Sequence, residues 1–149
     1  MLTVRDLLKA KGEGIWAIGP DTSTLEALRF MTEKNIGALV VLQDEALVGI
    51  ISERDFVHRI AEMHDAHLDS PIGEYMTEKV ITVTPQNTIE ECMKLMTDKH
   101  IRHLPVVKDD KLIGLISIGD VVKGIISEQS SMINNLQDYI LGTGYGQQA

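Results

Sequence analysis

Apolar positions along the chain follow two alternating rhythms. IWAIG (15–19) and VITVT (80–84) are short runs rich in β-branched and apolar residues, ended by Pro20 and Pro85. They predict short strands. Ser23-x-x-Glu26 and Thr88-x-x-Glu91 follow as capping boxes, so a helix starts at each. Behind them Ala27, Leu28 and Met31, and Cys92, Met93 and Met96, fall at helical spacing. ALVVL (38–42) and LVGIIS (47–52) flank a DEA turn, and HLPVV (103–107) and LIGLIS (112–117) flank DDK, which predicts two β-hairpins. Ser52-x-x-Asp55 and Ser117-x-x-Asp120 then open a second helix. The order is β-α-β-β-α, twice. A short helix is expected ahead of each copy, with Thr3-x-x-Asp6 capping the first.

The two halves are copies of one another. A shift of 65 residues lays Pro20–Ile60 on Pro85–Ile125 without a gap, and 16 of those 41 positions are identical. Upstream, VRDLL (4–8) matches IGEYM (72–76) loosely, and the first copy carries about three extra residues there, KAKGEG against TEK. That insertion lacks the spacing of a phosphate loop and reads as a flexible surface loop. A copy of roughly 60 residues is small for a core of its own, so the pair is expected to intertwine around a shared one. The fold class is α/β (α+β). The expected divisions are 1–66, 67–126, and a tail over 127–149. HRIAEMHDAHLDSP (58–71) links the copies. In the tail Met132, Ile133, Leu136 and Ile140 form one apolar helical stripe; Gly142, Gly144 and Gly146 end it, and disorder is expected beyond.

Composition narrows the class. A formal net charge of −8 argues against nucleic-acid binding, which needs clustered Lys and Arg. The aromatics Trp16, Phe30, Phe56, Tyr75, Tyr139 and Tyr145 are scattered and offer no base-stacking platform. Cys92 is the single cysteine, which excludes an internal disulfide and fits a reducing cytoplasm. No apolar run approaches the ~20 residues of a membrane span, and the N-terminal MLTVRDLLKA is no signal peptide.

Both copies carry Gly-apolar-apolar-Ser-x-x-Asp at a strand-to-helix junction: Gly49 to Asp55 and Gly114 to Asp120. The chemistry suits a nucleotide. A helix N-terminus presents free N–H groups to phosphate, the Ser hydroxyl adds a donor, and an ionised Asp can accept from both ribose hydroxyls. The strand glycine lets a ligand or another backbone approach closely. The same Ser-x-x-Asp also satisfies a helix N-terminus with nothing bound.

The duplicated unit, the LPVV strand (104–107) after a helix, and GIISERD and GLISIGD together resemble a pair of cystathionine β-synthase (CBS) domains, over residues 1–126. The resemblance implies two β-α-β-β-α motifs about a pseudo-two-fold axis, a Bateman module, dimerising with a second copy. It also implies a regulatory role without catalysis: binding AMP, ADP, ATP, NAD or S-adenosylmethionine in two clefts between the motifs, and acting on a regulated protein. Carried over by position, Ser52 and Asp55 face a wall of Ile81, His103 and Pro105. Ser117 and Asp120 face Trp16, Ala38 and Val40. Family members often set basic side chains on the phosphates at the positions of Arg102 and His103, where the first copy has Gly37 and Ala38. His103 is therefore assigned to the Asp55 cleft, with Arg102 turned to the centre. Arg54, opposite Gly119, is a further candidate contact or a solvated helix residue. A structural dimer with vestigial clefts is the rival reading.

Other constellations carry less. His58, His64 and His67 lie near Asp65 and Asp69 but lack a metal-site spacing, and no metal is required. Cys92 sits on an apolar helix face and reads as core. No catalytic order of Ser, His and Asp, Walker loop or dinucleotide fingerprint is present.

Overall fold

The structure is a computed structural model that describes residues 1–12, 14–62 and 68–141. Helix α1 (Val4–Lys11) leads into β1 (Ala17–Ile18), α2 (Thr24–Lys34), β2 (Ala38–Gln43), β3 (Ala46–Ser52) and α3 (Glu53–Glu62). A 3-10 turn, Ile72–Glu74, precedes α4 (Ile89–Lys99), β4 (His103–Lys108), β5 (Lys111–Ser117) and α5 (Ile118–Leu141).

Local chemistry repeats between the copies. Ser23 Oγ accepts from the Glu26 N–H and Thr88 Oγ1 from the Glu91 N–H, each at 3.1 Å. Both helices stop on a left-handed residue, Asn35 or His100. The hairpins turn on two residues of positive φ, Asp44–Glu45 (50° and 67°) and Asp109–Asp110 (51° and 62°). Such turns match the right-handed twist of the strands, and Asp tolerates the conformation through its short polar side chain.

The first sheet runs β1-β2-β3, with β1 parallel to β2; the second holds β4 and β5. The strand expected over 80–84 is reduced to one parallel bridge, Val83 to Val106. Val83 N–H donates to Pro105 O at 3.0 Å and Val107 N–H to Val83 O at 2.9 Å. The next rung would need residue 105 to donate to the Ile81 carbonyl, and proline has no N–H to give. The first copy has Val40 there and keeps the rung, pairing Ala17 with Val40.

The lead-in segments exchange places. Val4 and Leu7 of α1 are buried with Val83, Ile89, Cys92, Leu104, Ile116 and Val121 of the second copy. Ile72 is buried with Ala27, Leu39, Ile51 and Phe56 of the first. Val4 N–H donates to Asn87 O at 2.8 Å, and Ile72 N–H to Thr22 O at 2.9 Å. The strand glycines receive these segments. A β-carbon on Gly114 would lie 2.6 Å from Leu8 Cδ2, and one on Gly49 would lie 2.5 Å from Met76 Sδ. Close approach at the motif glycine therefore serves a side chain of the other copy's lead-in.

Two sequence expectations change in form. The lead-in of the second copy is a three-residue 3-10 turn, and its Gly73 is pressed against Pro20, where a β-carbon would sit 2.9 Å from Pro20 Cβ and O. The tail stripe is not a separate helix. With no proline between 118 and 141, α5 continues unbroken for 24 residues, roughly 36 Å at 1.5 Å per residue. Met132, Ile133, Leu136 and Ile140 stand exposed on it. Residues 142–149, with the tail glycines and the disorder expected there, lie outside the described residues. Among the described residues no helix is long and apolar enough to cross a membrane.

Candidate functional site

Strand alternation sorts β2 and β4 into two faces. Leu39 and Val41, and Leu104 and Val106, enter the two cores under the helices. Ala38, Val40, His103 and Pro105 take the opposite face, where β3 and β5 of the two sheets meet. Ser52 stands across from Ala38 and Ser117 across from His103. Both serines and both aspartates thus lie at the sheet edge where α3 and α5 begin.

Each Asp caps its helix. Asp55 Oδ2 accepts from the Ser52 N–H at 2.8 Å and from its hydroxyl at 3.2 Å. Asp120 Oδ2 accepts from the Ser117 N–H at 2.8 Å, while Ser117 Oγ accepts from the Asp120 N–H at 3.2 Å. The reciprocal capping box read from the sequence is complete at Asp120, while at Asp55 only its carboxylate half is made; each carboxylate keeps Oδ1 for another donor. At Asp55 that oxygen meets only the Thr77 hydroxyl among the described residues, at a long 3.5 Å.

The Asp120 junction has a further cation. Lys11 Nζ lies 2.9 Å from Asp120 Oδ2 and 2.6 Å from the Leu115 carbonyl. Burial works to raise the Asp120 carboxyl, but the Ser117 N–H and the Lys11 ammonium outweigh it and hold the group below its ordinary value. Lys11 belongs to the KAKGEG insertion, read from the sequence as a surface loop without a role. Its reach could not be seen in the sequence, because it depends on α1 packing against the other copy.

His103 is half-buried, and burial lowers its pKa below the usual imidazole value. Lys11 pushes the same way, whereas Glu53 and Asp120 oppose the shift. Its ring also nears Gly37, where a β-carbon would stand 3.6 Å from His103 Cε1. The ring thus stands between the two junctions, near Gly37 and the Glu53 charge of the first and across the hairpin from Ser117 of the second. Arg102 is exposed, and its carbonyl accepts the Ile118 N–H at 2.8 Å.

Two hollows lie near the junctions: Asp55 lines the smaller, while the larger is linked to Asp120 through Lys11 and has neither Ser117 nor Asp120 in its lining. One, of about 430 Å³, lies between β5 and the segment after α1, lined by Leu8, Lys11, Gly12, Ile15, Gly114 and Leu115 among others. Ile15, not Trp16, lines it. Trp16 is turned to α2, with Phe30 edge-on at 5.8 Å and Lys34 Nζ 4.4 Å from the ring centroid. The other hollow, about 250 Å³, holds Arg54, Asp55, His58, Arg59, Glu62 and Tyr75. Only the first falls in the range of roughly 300–1,000 Å³ usual for ligand pockets. Ala38, Val40 and Pro105 are buried, and Ile81 packs against the second core. Arg54 is exposed, its guanidinium 3.5 Å from the His100 carbonyl.

The remaining candidates settle simply. Cys92 is fully buried, and burial pushes its thiol up to about 11, as suits a packing residue. His64, Asp65 and His67 lie outside the described residues; among the described residues no three His, Cys, Asp or Glu side chains are grouped to hold a metal.

Residues 14–62 and 72–127 each match the CBS domain. The chain belongs to the CBS domain family. Its two CBS motifs make it similar to the mitochondrial CBS domain-containing protein CBSX3 of Arabidopsis thaliana, at 41% identity over 96% of this chain and 73% of that protein. Among solved CBS structures, NE2398 is 47% identical with a TM-score of 0.79, covering 83% of this chain and 97% of that one. The CBSX2 structure, solved in complex with AMP, is 27% identical with a TM-score of 0.72, covering 87% and 99%. These neighbours share the mixed α/β architecture of a CBS domain pair.

Proposed function

We propose that the chain is a regulatory sensor that binds an adenosine-containing nucleotide between its two CBS motifs and turns nothing over. The class comprises AMP, ADP, ATP, NAD and S-adenosylmethionine. The observation that carries this reading is the Asp120 junction. A carboxylate with an open Oδ1 sits at the positive end of a 24-residue helix, next to a hollow of about 430 Å³. A carboxylate there suits the two hydroxyls of a ribose, Lys11 adds a cation for phosphate, and the His103 imidazole adds an N–H donor. AMP in the complex of the related CBSX2 supports the same class.

The active unit in this reading is a homodimer acting on a further protein in a reducing compartment such as the cytoplasm, where the free Cys92 stays reduced. A ligand acts there only as far as it distinguishes two states of the module. The rival reading is a structural dimer with vestigial clefts, favoured by the capping and packing duties that the motif already performs. Calorimetry with AMP, ADP, ATP, NAD and S-adenosylmethionine separates them. Heat of binding with at least one supports the sensor, and silence with all five supports the structural dimer. Hydrolysis of ATP on incubation would overturn both.

A further inference from the structure

We propose that Lys11 is an internal counter-ion of Asp120 that is exchanged when a ligand enters, and that the exchange restricts this cleft to adenosine ligands carrying a phosphate ester. The inference rests on the reading above and names the ligand class of one of its two clefts.

In the free protein the Lys11 ammonium is held by two acceptors, Asp120 Oδ2 and the Leu115 carbonyl, at 2.9 and 2.6 Å. The same Oδ2 already receives the Ser117 N–H at 2.8 Å. A ribose that engages both carboxylate oxygens must therefore displace the ammonium. An ammonium has three donors and no acceptor, so once displaced it keeps only Leu115 among these partners. Its side chain is 39% exposed, so water takes over part of the lost acceptor's role, but water carries no charge to offset that of the ammonium. A phosphate on the entering ligand supplies the missing anion, and the four-carbon stem of lysine lets the charge follow it. Adenosine, with no phosphate, breaks the pair and returns nothing to Lys11.

The asymmetry between the copies supports this. Lys11 stands three residues beyond Leu8 and Lys79 three beyond Met76, yet among the described residues only Lys11 is paired with a motif Asp, while Lys79 is exposed. The nearest counterpart at Asp55 is the neutral Thr77 hydroxyl, at 3.5 Å. Arg54 and Arg59 line the hollow at Asp55, but the His100 carbonyl and Glu74 hold them, each at 3.5 Å, so among the described residues counter-ion exchange at the carboxylate itself is confined to Asp120. Lys11 also lines the larger hollow, so the charge stands at the wall a ligand must pass.

The test uses full-length protein carrying Asp55→Asn, so that the Asp120 cleft dominates, with and without Lys11→Met, which keeps length and removes charge. AMP and adenosine are titrated by calorimetry. With Lys11 present, AMP binds about ten- to a hundredfold more tightly than adenosine. Lys11→Met collapses that ratio by weakening AMP, while adenosine binds as well as before or better. Equal weakening of AMP and adenosine, no change in either, or loss of all binding on Asp55→Asn alone overturns the proposal and leaves the sensor reading standing. If the unmodified protein binds neither AMP nor adenosine, nor any other adenosine nucleotide, the sensor reading falls and this proposal with it.

Discussion

Met76 occupies the space that a side chain on Gly49 would need: a β-carbon there would lie 2.5 Å from its Sδ and 3.0 Å from the Thr77 carbonyl. The thioether can swing aside, but the backbone carbonyl cannot. Gly49→Ala is therefore expected to cost about 1–3 kcal/mol, the usual range for overpacking a tight site. Gly114→Ala, which meets only the Leu8 side chain, costs less, and Leu8→Ala in the same chain recovers part of it. Urea denaturation of the three variants measures this; equal losses for the two glycines would contradict the argument.

Asp55→Ala and Asp120→Ala each remove a capping acceptor, and each is expected to cost about 0.5–2 kcal/mol of stability. Each also weakens nucleotide binding at its own cleft, by about ten- to a hundredfold. Melting and calorimetry on the same preparations separate the two effects. A lowered melting temperature with unchanged affinity would assign both residues to capping alone.

His103 gives a pH dependence of known sign. Burial holds its folded pKa below the ordinary 6.5, against the pull of Glu53 and Asp120 and with the help of Lys11 and Arg102. The unfolded chain then binds more protons between the two values, so stability is full above 6.5 and is lost as pH falls through the folded value. Melting temperatures of wild type and His103→Asn at pH 7.5 and pH 5.5 check this. The wild type loses more than the variant on acidification; equal losses would place the proton elsewhere.

The apolar stripe of α5 predicts association. Ile133 and Leu136 are both more than half exposed on a helix that runs beyond the module. Sedimentation at micromolar concentration is expected to give twice the 16.5 kDa chain mass. Ile133→Glu with Leu136→Glu shifts the protein toward monomer without changing its helix content. A wild type that sediments as a monomer would remove the homodimer from the functional reading.

What the sequence made legible was local or periodic. The duplicated Ser-x-x-Asp boxes, the DEA and DDK turns and the apolar spacing of α2 and α4 each act over a few residues, so one chain displays them. Lys11 was illegible because 109 residues separate it from Asp120 and the insertion that carries it has no period of its own. Gly49 and Gly114 stood out in the sequence, but their partners Met76 and Leu8 come from the opposite lead-in, which no local pattern can announce. The strand over 80–84 failed for one missing proton, the amide hydrogen Pro105 does not have.

The exchange of lead-in segments has a consequence during synthesis. Val4 and Leu7 are buried in a core whose remaining members run from Val83 to Val121. At about 5–20 residues per second, ribosomes leave Val4 and Leu7 without their partners for on the order of 10 s. Through that interval the first copy also lacks Ile72, which fills its own core, until the linker has emerged. The nascent first copy therefore presents both an unsatisfied greasy helix and a hole in its interior, and α1, made ahead of both copies, is among the last segments to be covered.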